Sequence, residues 1–194
     1  LLPRHVRQKM IPPPGLEIST GLARIAFIAA LLLVYLLGSY AALKSPIVQD
    51  TEQEQNNLRV NLKAVSGLMH DDASAYMSLQ DYKDRYYGIG FDVPAYPIQT
   101  LLYRPVAKAL QVEHETAFLL AKHWLSFNLF FASGILLLLL FHRILSDTTF
   151  ARIASFTYLL WPFLLGHSVC NVKDIPFLFA WLLCTWIGFE LMLN

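Results

Sequence analysis

An uncharged run of 19 residues, Ile25 to Leu43, limits what this chain can fold into more than any motif does. At the helical rise of about 1.5 Å per residue it reaches across a hydrocarbon layer about 30 Å thick. Backbone amides find no partner in hydrocarbon, so such a run closes its hydrogen bonds within itself as a helix. Three more apolar runs follow: Trp124 to Phe141, Ile153 to about Val172 with Pro162 inside it, and Ile175 to Phe189. Hydrophobic residues make up 56% of the 194 and mean hydropathy is +0.45. That composition favours an integral membrane protein over a water-soluble fold. The expected fold class is an all-α integral membrane bundle. Its transmembrane helices are 25–43, 124–141, 153–172 and 175–194, and the long loop 44–123 carries amphipathic helices. The fourth run reaches Glu190 and stops at Asn194 with no soluble segment after it, which reads as a chain cut short. The first run exceeds the apolar core of a cleaved leader, and Ala41-Ala42 only weakly imitates a cleavage site, so it reads as a retained helix.

Orientation follows from Lys and Arg. The arm 1–24 carries Arg4, Arg7, Lys9 and Arg24 against Glu17, and the loop 142–152 carries Arg143 and Arg152 against Asp147. Both belong in the cytoplasm by the positive-inside rule. The loop 44–123 and the Asn171 to Asp174 turn then share the outer face. The formal net charge of +1 sums a basic arm with a mildly acidic loop, and no nucleic-acid footprint is visible. Cys170 and Cys184 sit in or beside apolar runs without metal or redox spacing.

A loop of about eighty residues is too long for a mere connector. Its stretch from Gln49 to Ala64 is polar, with a spacing ambiguous between helix and strand periods. Asp71, Asp72 and Ser74 read as the capped start of a short helix through Met77 and Leu79. From Pro94 to Ala109, Ile98, Leu101, Leu102, Val106 and Leu110 share one helical face, with Arg104 and Lys108 on another; such a helix can lie in the membrane interface.

Gly166 to Phe177 sets His167, Asn171, Lys173 and Asp174 between two apolar runs. Ionisable groups at such a place are functional candidates. Asp84-Arg85-Tyr86-Tyr87-Gly88-Ile89-Gly90-Phe91-Asp92, then Trp161-Pro162-Phe163, then Gly166-His167-Ser168 and Asn171-Val172-Lys173-Asp174-Ile175-Pro176-Phe177 together resemble bacterial GT-C glycosyltransferases. These are polytopic enzymes related to protein mannosyltransferases and lipid A aminoarabinose transferases. The resemblance covers essentially the whole chain, but only the N-terminal part of such an enzyme.

The resemblance implies transfer of a hexosyl or pentosyl group from a lipid-linked, polyprenyl-phosphate donor to an acceptor on the outer face, with inversion. It also implies a bacterial inner membrane with the N-terminus cytoplasmic. An acidic residue of the first outer loop acts as general base in such enzymes; Asp50, Glu52 and Glu54 stand in that place, Asp50 and Glu52 first. The family commonly shows an adjacent Asp-Glu pair, whereas this chain has Asp50-Thr51-Glu52. An acceptor hydroxyl is a poor nucleophile at neutral pH, and a positioned carboxylate that takes its proton contributes about 10²–10⁴-fold. His167, Asn171, Lys173, Tyr86 and Tyr87 are the candidate donor-binding residues. Asp174 is a candidate catalytic residue, and a candidate ligand for Mg or Mn that would stabilise the leaving phosphate.

Each residue also has a plainer reading. Asp174 can cap the fourth helix with Pro176 in its first turn, Lys173 can snorkel to the interface, and His167 and Asn171 can be turn residues. Asp50, Glu52 and Glu54 can be a solvated charge run, and Tyr86 and Tyr87 part of an aromatic belt. The alternative function is a non-catalytic transmembrane scaffold with membrane protein partners. A transporter would need midplane charges and repeat symmetry, and neither is visible.

Overall fold

A computed structural model describes residues 20–193, and every regular element among them is a helix. The basic residues Arg4, Arg7 and Lys9, with Glu17, lie outside the described residues. Among the described residues three helices are long and apolar enough to cross a membrane: α1 (Thr20–Lys44), α5 (His114–Leu145) and α8 (Asp174–Leu193).

Helix α1 runs antiparallel to α5. The Tyr35 hydroxyl donates to Asn128 Oδ1 at 3.1 Å, and Ser45 Oγ is 2.6 Å from His123 Nδ1 further along. Helix α8 runs parallel to α5, because Ser126 Oγ donates to the Asn171 carbonyl at 2.8 Å near one end and Arg143 Nε donates to Glu190 Oε1 at 3.2 Å near the other. Ala42, Phe127, Phe130, Leu159 and Ile175 form the buried core between the helices. Glycine permits the closest approaches: a Cβ on Gly134 would lie 2.5 Å from Leu159 Cδ2, and one on Gly38 would meet the Phe127 ring.

The expected third span, 153–172, is instead two helices, α6 (Thr148–Leu160) and α7 (Pro162–Ser168). Proline has no amide hydrogen and its ring drives the preceding residue out of the helical region. Trp161 accordingly sits at φ −63°, ψ 115°, and Pro162 opens the new helix. Asp147 caps α6 by accepting from the amides of Thr149 and Phe150. Together α6 and α7 lead back along α5, with Ser155 Oγ donating to the Gly134 carbonyl and α7 ending beside the Asn171 turn.

The expected second span also starts ten residues earlier than its apolar run. Helix α5 has 32 residues, about 48 Å at the helical rise, longer than a hydrocarbon core. Its first turns bury Ala117, Leu119, Leu120 and Ala121 under the intervening segment. That segment holds α2 (Gln49–Met69), α3 (Ala73–Gln80) and α4 (Asp92–Leu110). The ambiguous period of α2 resolves as helical, since Thr51, Glu54, Gln55 and Leu58 share its buried face. Asp72 caps α3 by accepting from the Ser74 amide. Gln99 of α4 donates to the Phe118 carbonyl of α5 at 3.0 Å.

Candidate functional site

Because α5 and α8 run parallel, the start of α8 lies level with the first half of α5, beneath the α2–α4 segment. A cavity of about 890 Å³ opens there. Apolar side chains make much of its wall, among them Phe91, Ile98, Leu125, Leu129, Phe177 and Phe179. Glu54, Asp92, Asn128, Lys173 and Asp174 line it with polar groups. Apolar walls joined to a few charged groups suit an amphiphile with a polar head.

Lys173 and Asp174 reach the cavity from a turn that Asn171 organises. Its Oδ1 accepts from the amides of Lys173 at 3.0 Å and Asp174 at 2.8 Å, and its Nδ2 donates to Asp174 Oδ2 at 2.9 Å. The capping role open to Asp174 therefore belongs to Asn171, and Asp174 is the first residue of α8 with an exposed carboxylate. His167 stands behind this turn: its Nδ1 is 3.2 Å from Asn171 Nδ2 and its ring lies 4.4 Å from that of Phe163. Lys173 Nζ lies 4.3 Å from the centre of the Tyr87 ring, a cation–π contact joining the 82–91 stretch to the α8 turn. Tyr86 is 85% exposed and packs on Arg85 instead.

Of the three loop carboxylates, Glu54 lines the cavity. Asp50 is exposed near the start of α2, and Glu52 faces clefts on the far side of that helix. Burial, first, and the Asp92 carboxylate, second, raise the Glu54 pKa above 4.5. The Asn57 amide, 3.4 Å from Glu54 Oε2, and the ammonium groups of Lys122 and Lys173 oppose that rise. Asn57 Oδ1 in turn accepts from the Tyr82 hydroxyl at 2.8 Å, and Gln53 donates to Asp84 at 2.7 Å. These two bonds staple the 82–91 stretch to α2.

Several residues of the site escape sequence reasoning. Lys122 is wholly buried and ion-paired with Asp92, whose side chain is 5% exposed. His123 is buried beside it, within 2.6 Å of Ser45 Oγ and 2.8 Å of Thr51 Oγ1. Ser45 Oγ already donates to the Ala42 carbonyl at 2.8 Å. The His123 Nδ1 position therefore carries the hydrogen, and Nε2 accepts from Thr51. This one ring ties the end of α1 and the start of α2 to α5. A Lys-His pair at the mouth of an apolar run reads as a flank; the available signal was Asp92 closing the Tyr-Tyr-Gly segment, an acid in need of a partner.

Among the described residues no three His, Cys, Asp or Glu side chains are placed to hold a metal by themselves; Asp174 offers one exposed carboxylate, and a Mg or Mn ion there would take its other oxygen ligands from a donor phosphate and water. Comparison with models of protein families, with curated proteins and with solved structures found no match.

Proposed function

We propose that this chain is the N-terminal part of a membrane glycosyltransferase that moves a sugar from a polyprenyl-phosphate donor to an acceptor on the outer face. One observation carries the reading: a single cavity joins apolar walls fit for a prenyl chain to Glu54, Lys173 and Asp174. In this reading α6 and α7 together make a fourth, broken crossing. Parallel neighbours α5 and α8 require the chain between them to return, and a break is tolerated where neighbouring helices cover it.

The reaction is one displacement at the anomeric carbon. The acceptor oxygen forms its bond to that carbon as the carbon–oxygen bond to phosphate breaks, so configuration inverts. Glu54 takes the acceptor proton, and its raised pKa makes it a stronger base than an exposed glutamate. Polyprenyl phosphate leaves with the bonding pair, its new charge facing Lys173. Asn171 keeps Lys173 and Asp174 in register, and the Lys122–Asp92 pair fixes the wall. Asp50, exposed and outside the cavity, does not take the proton in this mechanism.

Turnover of radiolabelled polyprenyl-phosphate hexoses and pentoses by membranes holding the full-length protein tests the proposal. Glu54→Gln and Lys173→Met are expected to lower transfer by about 10²-fold or more, while Asp50→Asn keeps most of it. Unchanged transfer in Glu54→Gln, or copurifying partner subunits with no transfer by any preparation, would favour the scaffold reading.

A further inference from the structure

At the end of the bundle away from the cavity, α1 and α6 leave a cleft of about 360 Å³ between them, lined by Phe27, Arg152, Ile153, Phe156, Thr157 and Leu160. Ile153, Phe156, Thr157 and Leu160 follow the i, i+3, i+4, i+7 pattern, one stripe of α6 about 10 Å long. Phe27 closes the other side, its ring centre 5.9 Å from that of Phe156. The cleft opens outward, for Ile153 is 61% exposed and Leu160 47%. Helix α1 is long and apolar enough to cross a membrane, so a stripe packed beside its first turns lies at the depth where lipid headgroups meet their chains.

Arg152 brings the one charge to this lining. Its guanidinium lies over the Phe27 ring, 5.4 Å from the centre, a contact that leaves its N–H donors unused. Arg24 precedes Phe27 by three residues, so it stands one turn away on the same face of α1, and it is exposed. Among the described residues neither arginine has an acidic partner. The acids at this end are engaged elsewhere, Glu190 with Arg143 and Asp147 in capping α6. Two unmatched guanidinium groups beside an apolar stripe call for a phosphate with chains attached. A zwitterionic headgroup carries its own cation, which the arginines repel, whereas an anionic one does not.

We propose that the cleft between α1 and α6 holds one anionic glycerophospholipid, its phosphate on Arg152 and Arg24 and an acyl chain along the stripe from Ile153 to Leu160. This site lies at the opposite end of the bundle from the cavity and takes no part in the proposed transfer.

Native mass spectrometry of the full chain, released from lipid nanodiscs, tests this with phosphatidylglycerol, phosphatidylcholine of the same chains and inorganic phosphate as probes. One phosphatidylglycerol per chain is expected to be retained at least about fivefold better than phosphatidylcholine, the worth of one cation near a lipid surface. Arg152→Gln should lower that retention by a similar factor. Thr157→Trp should lower it too, by filling the cleft while leaving every charge in place; Thr157 is exposed, so the larger ring does not disturb the core. Arg143→Gln removes a charge from the same end but outside the cleft, and should leave retention unchanged. The readout is lipid binding and needs no sugar transfer, so it is decided apart from the proposed reaction. Equal retention of the two lipids, equal binding by wild type and Arg152→Gln, or a loss in Arg143→Gln as large as that in Arg152→Gln overturns the proposal. Displacement of the lipid by equimolar inorganic phosphate overturns it as well, because the stripe would then contribute nothing.

Discussion

Replacing Lys122 by Met tests how the outer segment is joined to the bundle. In the wild type the Lys122 side chain is fully buried and that of Asp92 is 5% exposed, and the two form an ion pair. At that depth solvent screens little, so the general figures for buried pairs apply without discount. Removing one partner of such a pair costs about 3–5 kcal/mol, because the remaining charge is stranded. At about 1.4 kcal/mol per decade this is two to nearly four powers of ten in the folding constant. The Glu54 carboxylate near Asp92 pushes towards the upper end. Removing both charges together, with Lys122→Met and Asp92→Leu, puts an apolar contact of similar volume in their place, and such replacements are often neutral or stabilising by about 1–4 kcal/mol. Unfolding in mixed micelles, followed by circular dichroism, should place the double variant near or above wild type and the single variant far below. If the single change costs under about 1 kcal/mol, or the double variant is no better than the single, the pair does not anchor this wall and the reasoning fails.

Two further outcomes follow from the same geometry. Gly38→Ala drives a methyl into the Phe127 ring and is expected to destabilise by about 1–3 kcal/mol, whereas a methyl at Gly166 meets nothing within 4 Å and should leave thermal unfolding unchanged within about 0.5 kcal/mol. The raised Glu54 pKa means that the fold binds this proton more tightly than the unfolded chain does. Its contribution to stability is thus fully present below pH 4.5 and lost as pH rises through the raised value; Glu54→Gln should flatten that slope in pH-dependent unfolding.

The apolar runs were legible because membrane crossing demands length and absence of charge, both linear properties of sequence. Pro162 was legible as a disturbance; whether it kinks one helix or separates two turns on the conformation of Trp161, which is extended. The turn at Asn171 shows the limit most clearly. Asp beside Ile-Pro has the signature of a helix cap, yet Asn171 three residues earlier holds both amides. Glu52 and Glu54 differ by two positions, about 200° around a helix, so they face opposite sides once α2 is docked. An ambiguous period could not assign those sides. Lys122 and His123 show no sign of their place in the site from the sequence because their partners, Asp92, Ser45 and Thr51, are distant in it.

Asn171 does two things that substitution can separate. Its oxygen caps α8 and its amide nitrogen restrains Asp174 at 2.9 Å. Asn171→Ala removes both, at about 1 kcal/mol for the lost cap and a further loss of order in the Lys173 and Asp174 side chains. Asn171→Asp keeps an oxygen for the Lys173 and Asp174 amides but replaces the amide donor by a carboxylate facing Asp174. Unfolding should therefore place Asn171→Asp closer to wild type than Asn171→Ala, while binding of a polyprenyl-phosphate analogue, followed by quenching of tryptophan fluorescence, should fall in both. If Asn171→Asp binds the analogue as wild type does, the turn serves only to start α8, and Asp174 needs no partner to hold its place.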